Sequence, residues 1–144
     1  MKSRSELRDI IIKVLYQANL FDEAKINYDV DTLIKDQMEV QNDFVNDCVK
    51  GILDKKTEIY SIANSKLNNW TMDRLNKVDQ AIVALGIYEL KYTDVPSIVA
   101  INEAIELSKV YSDEAVTKMI NGVLDKVYHD IENKDWGLIW MINI

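Results

Sequence analysis

Residues 75–92 read LNKVDQAIVALGIYELKY, and from Ala81 to Tyr88 they carry no charge and no strongly polar side chain. A surface helix shows one apolar stripe, whereas a helix apolar most of the way round has to be covered on most sides. Leu75, Val78, Ile82, Leu85 and Tyr88 or Glu89 follow the three-four spacing of an inward helical face. The periodic flanks run well past ordinary strand length, so the stretch predicts a central buried helix, not a buried strand. Thr71 is its expected cap, with Trp70 as a hydrophobic staple.

Downstream, Pro96 disfavours helix at Val95 and can itself open the next helix. Ile98, Ile101, Ala104, Ile105 and Ser108 give that helix its inward stripe. Ser112 or Asp113 caps a last helix carrying Val116, Met119, Ile120, Val123, Leu124, Val127 and Tyr128. Upstream, Asn42 or Asp43 caps one long helix from Phe44 to Leu67, stopping near Asn68-Asn69. A short helix is expected from about Thr32 to Val40, after an acidic loop at 21–31.

The chain begins with Ser3 and Glu6 at capping-box spacing, followed by the stripe Leu7, Ile10, Ile11, Val14, Leu15 and Ala18, ending near Asn19. Arg4 and Arg8 are one turn apart and predict a shared face away from that stripe. Cations in a first turn oppose the helix dipole by a few tenths of a kcal/mol, roughly, so they suit an anion-binding role or a merely solvated basic face. The inventory is six or seven helices with no convincing strand, packed as a compact all-α bundle. Residues 1–132 form the expected single domain, and 133–144 an apolar tail rich in Trp, Ile and Leu. Left exposed, that tail would be insoluble, so it docks on its own domain or on a partner.

At 144 residues, 48% hydrophobic and 28% charged, the chain fits one globular domain. Four Gly and one Pro are too few for a many-stranded sandwich or barrel. The net charge of −7 argues against a non-specific nucleic-acid binder, yet residues 1–20 hold four bases against two acids. A basic end on an acidic body directs an anionic ligand to one place. A single cysteine, Cys48, excludes an internal disulfide and points to a reducing compartment. With no secretory pattern at the start and no apolar run near the ~20 residues of a membrane span, the expected location is cytoplasmic, away from membranes.

No catalytic constellation stands out. His129, the lone histidine, is expected as a solvated or dipole-favoured group near a helix end. Asn102, Glu103 and Glu106 read as a solvated face rather than acid–base machinery. With one His and one Cys no zinc site is expected, and no phosphate or dinucleotide loop is present, so neither metal nor cofactor is called for. The reading is a binding protein, not an enzyme.

Several segments together carry a resemblance. Val95-Pro96, VAINEAIELSK at 99–109, Tyr111-Ser-Asp-Glu114 and Asn121-Gly-Val-Leu-Asp-Lys126 strongly resemble the NusB family of bacterial transcription antitermination factors. Arg74-Leu75, Val78-Asp79, Ala81-Ile82, Ile87-Tyr88-Glu89-Leu90 and Val14-Leu15-Tyr16-Gln17 extend the match over roughly residues 4–128. The resemblance implies about seven helices in two small helical subdomains. It implies a partner, NusE, which is also a ribosomal small-subunit protein, and a ligand, the single-stranded boxA element of ribosomal RNA leader transcripts. Within an RNA polymerase antitermination complex, that assembly supports read-through and ribosomal RNA maturation without catalysis.

Carried residue by residue, the family's basic helix start falls on Lys2, Arg4 and Arg8, thinned relative to the family's arginine run. Lys118, Met119 and Asn121 fall in the final-helix region that approaches RNA, Met119 where family members can carry an aromatic. Tyr16 and Asp79 fall on the NusE-facing surface, though a local salt bridge to Arg74 or Lys77 is an alternative for Asp79. Some family members self-associate, so a homodimer is a further possibility. The alternative reading is a protein-interaction module of this fold with little RNA affinity of its own.

Overall fold

The computed structural model describes the backbone of residues 2–142 and side chains through 133. Seven α-helices follow in order: α1 (Arg4–Glu23), α2 (Val30–Gln37), α3 (Asp43–Asp54), α4 (Lys56–Lys66), α5 (Lys77–Tyr92), α6 (Ser97–Tyr111) and α7 (Glu114–Ile142), with one 3-10 turn at Met72–Arg74. No strand occurs among the described residues, so the all-α expectation holds.

The 75–92 stretch is the helix around which the rest is arranged. Every residue from Asp79 to Gly86 is buried, as are Ile87, Glu89 and Leu90. α5 packs against α1, α3, α4, α6 and α7, so its apolar circumference is used on all sides. A Cβ at Gly86 would lie 2.8 Å from both methyl carbons of Leu124, so the glycine gives α7 room to seat that leucine on α5. Fully burying a side chain such as Ile82 or Leu85 stabilises the fold by about 1.5–3 kcal/mol.

Local signals explain most boundaries. Ser3 and Glu6 close a capping box at the start of α1. Asn42 caps α3 by accepting from the Val45 amide at 3.1 Å, and Asp113 caps α7 by accepting from the Val116 amide at 2.8 Å. At the end of α5, the Thr93 hydroxyl donates to the Glu89 carbonyl at 2.7 Å, and the chain turns through Pro96 into α6.

Five boundaries differ from expectation. The long 44–67 helix is two helices broken at Lys55 (φ −102°, ψ 16°), because α3 and α4 turn to follow different sides of α5. Asn76, not Thr71, caps α5, accepting from the Asp79 amide at 2.8 Å. Thr71 instead precedes the 3-10 turn, Met72 fills the core, and the proposed staple Trp70 is exposed with Arg74 over its ring. α1 continues to Glu23, past Asn19, since Phe21 still packs on the core, and α2 ends at Gln37. The α7 backbone runs through the charged stretch to Ile142, so His129 lies within the helix, facing Asp125 and Glu132. The docking of the 133–144 tail lies outside the described side chains.

Candidate nucleic-acid interface

The basic start of α1 divides. Arg4 is exposed, and its guanidinium carbon stands 4.0 Å from the centre of the Phe44 ring. Arg8 is 3% exposed. Its Nε and Nη2 donate to the two carboxylate oxygens of Glu89, each at 2.8 Å, and its Nη1 lies 3.8 Å from Glu103. Burial works against the Arg8 charge, and the bonds and charge of Glu89 outweigh it, so the guanidinium is held above its ordinary value. The expected basic face away from the apolar stripe is therefore not present: both guanidiniums lie near Phe44, but only Arg4 is exposed. Four residues on a 3.6-residue helix differ by about 40°, and that rotation carries Arg8 over the seam with α5. An arginine so enclosed has no free edge for a phosphate.

Glu103 is also not simply solvated. The Ser5 hydroxyl donates to its carboxylate at 2.9 Å, tying the first turn of α1 to α6. Lys2 is exposed and faces a groove of about 640 Å³ between α1 and α6, floored by Ile10, Leu107 and Val110. Arg4 opens instead onto a cavity of about 380 Å³ with Phe44, Asp47, Cys48, Tyr88 and Asp94. Burial pushes the Cys48 thiol up to about 12, which leaves it an unreactive core group.

On α7, Lys118 is well exposed and 3.8 Å from Glu114, Asn121 is exposed, and Met119 is half-buried against the core. Met119 lines a smaller cavity of about 230 Å³ with Lys66, Leu67, Asn68 and Lys126. The α1 and α7 candidates thus share no cavity.

The two candidate partner residues are placed oppositely. Tyr16 is 37% exposed, with Leu20 at 40% one turn on, a surface patch an apolar partner can cover. Asp79 is 2% exposed and accepts a hydrogen bond from the Ser112 hydroxyl. Burial raises its carboxyl, the Ser112 bond opposes the rise and Asp113 adds to it. Asp79 is thus not the exposed, partner-facing charge expected of it, and the alternative salt bridge to Arg74 or Lys77 is not formed either, because Asp79 turns inward at the α6–α7 corner. Among the described residues no group of acids, Cys and His is arranged to hold a metal, and no helix is long and apolar enough to cross a membrane.

The family model described as NusB family matches residues 5–129. The Transcription antitermination protein NusB of Listeria innocua is 40% identical over 125 residues, covering 86% of this chain and 94% of that protein. The protein of the same name from Methylacidiphilum infernorum is 36% identical over 143 residues, with 94% and 97% coverage. Among solved structures, T. maritima NusB superposes with a TM-score of 0.77 at 27% identity, covering 89% of this chain and 92% of that one. A chain from the crystal structure of antitermination factors NusB and NusE in complex with double-stranded RNA gives 0.76 at 27% identity, with 88% and 96% coverage.

Proposed function

The chain belongs to the NusB family, and from that membership we propose that it is a transcription antitermination factor. In this reading it binds boxA-type single-stranded RNA together with NusE, acting in the cytoplasm within an RNA polymerase complex. The observation that carries it is the similarity over most of the chain to a NusB solved with NusE and double-stranded RNA, together with relatives named as transcription antitermination proteins. Residues 1–132 serve as one NusB-like domain and 133–144 as an appended tail. Its work is binding, with no chemistry catalysed.

Lys2 and Arg4 supply the phosphate contacts of the α1 start, while Lys118, Met119 and Asn121 offer a second contact region on α7. Tyr16 belongs to the NusE-facing surface. Arg8 is reassigned as a structural clamp, and Asp79 as a buried group that shapes the surface from beneath. The burial of Arg8 leaves two cations where the sequence offered three, which favours weak RNA affinity alone and a strong dependence on NusE. The same observation supports the second reading, an interaction module of this fold with little RNA affinity.

The test is binding to a boxA-type RNA and a scrambled control, with and without NusE, over a salt series. The expected result is a boxA preference that strengthens with NusE, with a slope of about −0.7 per phosphate engaged. Binding of NusE with no RNA preference at any salt would establish the interaction module instead.

A further inference from the structure

Three aromatic rings run across the face where α1, α3 and α5 meet, with cations at either end. The guanidinium carbons of Arg4 and Arg8 lie 4.0 and 5.4 Å from the centre of the Phe44 ring. Phe44 and Tyr88 line one cavity with Arg4. Tyr88 is followed by Tyr92, their ring centres 5.6 Å apart. Lys55 and Lys91 then stand 4.9 and 5.3 Å from the Tyr92 ring. All three rings are only partly buried, so each keeps some surface toward solvent, and a base stacking on Phe44 or Tyr92 would share or take the place of the cation now over that ring. Tyr88 passes tightly over Gly51, where a Cβ would lie 2.6 Å from its Cζ, so the ring's place on α3 is fixed.

We propose that this stripe is a stacking track for single-stranded RNA, with one nucleobase seated in the cavity between Phe44 and Tyr88. The proposal rests on the RNA-binding reading above and extends the contact surface beyond Arg4 to Phe44, Tyr88, Tyr92 and Lys55. Ring faces interleaved with cations serve unpaired strands because every base has a π-face, while the cations follow the backbone. The α7 candidates, Lys118, Met119 and Asn121, include no ring on which a base can stack.

The acids in the cavity decide what enters. Asp47 and Asp94 line it with Arg4, so its interior repels phosphate and accepts N–H donors. A base with an exocyclic amino group satisfies them, with its phosphate left outside near Arg4. Uracil offers a single ring N–H flanked by two carbonyl oxygens that the carboxylates repel, and fits less well. Lys91 is paired with Glu58 at 2.7 Å, which leaves Lys55 as the stronger cation at the far end.

The experiment uses the full chain with NusE and two fluorescent single-stranded RNAs of about twelve nucleotides, within the usual site size of such surfaces. One is of boxA type and carries a photo-crosslinking base; the other is all-uridine. Crosslinks are expected on peptides containing Phe44, Tyr88 or Tyr92, with weaker binding of the all-uridine strand. Phe44→Leu should weaken boxA affinity about five-fold or more, and Lys55→Gln should shallow the salt slope by about 0.7. Should Phe44→Leu disturb helix content, the crosslinks on the unaltered chain and the Lys55→Gln variant still decide.

RNA binding with crosslinks only off the stripe and an unchanged Lys55→Gln slope would overturn the track and leave the antitermination reading standing. Equal affinity for the all-uridine strand would remove the seated amino-bearing base. No RNA binding by the unaltered chain with NusE would remove both.

Discussion

α5 carries two buried carboxylates, one near each end, and they are held in opposite ways. Glu89, 1% exposed, receives a two-pronged guanidinium from α1. Asp79, 2% exposed, receives a hydroxyl from the α6–α7 corner and, among the described residues, no cation. A buried charge is tolerated when paired and hydrogen-bonded; one with only a hydroxyl shifts toward its neutral form. The first end is thus a two-pronged ion-pair lock joining the beginning of the chain to its centre. The second is a group whose ionisation the fold opposes.

The largest effect should come from breaking the lock. Arg8→Met leaves Glu89 buried without its partner and is expected to remove about 3–5 kcal/mol of stability in urea unfolding. Adding Glu89→Leu to that variant should restore most of the loss. A single-variant loss no greater than that of a surface substitution would erase the distinction between the two ends.

Asp79→Asn should be far milder, within about 1 kcal/mol at neutral pH, because the amide oxygen still accepts from Ser112. The pH dependence follows from the sign. A carboxyl whose folded value lies above the ordinary 3.8 favours the fold when protonated, and that contribution is lost as pH rises through the raised value. Unaltered protein should therefore gain stability relative to Asp79→Asn as pH falls from 7 through that value. A constant difference across the series would mean that Asp79 is comfortably ionised in the fold.

The smallest stability effect belongs to Arg4→Ala, about 0.5–1 kcal/mol for an exposed ring contact. Its consequence should appear instead as weaker RNA binding with helix content and NusE pairing retained. Arg4 and Arg8, one turn apart, would thus separate function from folding.

The architecture was readable because α5 announces itself: a charge-free octet inside a periodic stretch has to be surrounded. Capping side chains at Ser3, Asn42 and Asp113 were readable for the same reason, since they act on amides within three residues. What escaped depended on distant neighbours. The break at Lys55 has no Gly or Pro to mark it and follows from α3 and α4 packing on different sides of α5. Arg8 looked solvated beside Arg4, although a clue was present: Glu89 sat on the predicted inward face, and an inward carboxylate calls for a cation. Asp79 stood in an apolar helix with Arg74 and Lys77 close in sequence, but the helix turned it toward Ser112, 33 residues further on. The Phe44–Tyr88–Tyr92 stripe spans two helices far apart in sequence, and no single helical period displays it.

The Arg8–Glu89 clamp also sets a schedule for the newborn chain. Its members are 81 residues apart, and translation proceeds at about 5–20 residues per second. Arg8 therefore leaves the peptidyl-transferase centre roughly 4–16 s before its acceptor has been made. Throughout that interval the apolar side of α1 has no α5 to lie against, and neither do α3 and α4. The growing chain passes through a period of exposed greasy surface that ends only when the sequence near Tyr92 clears the exit tunnel.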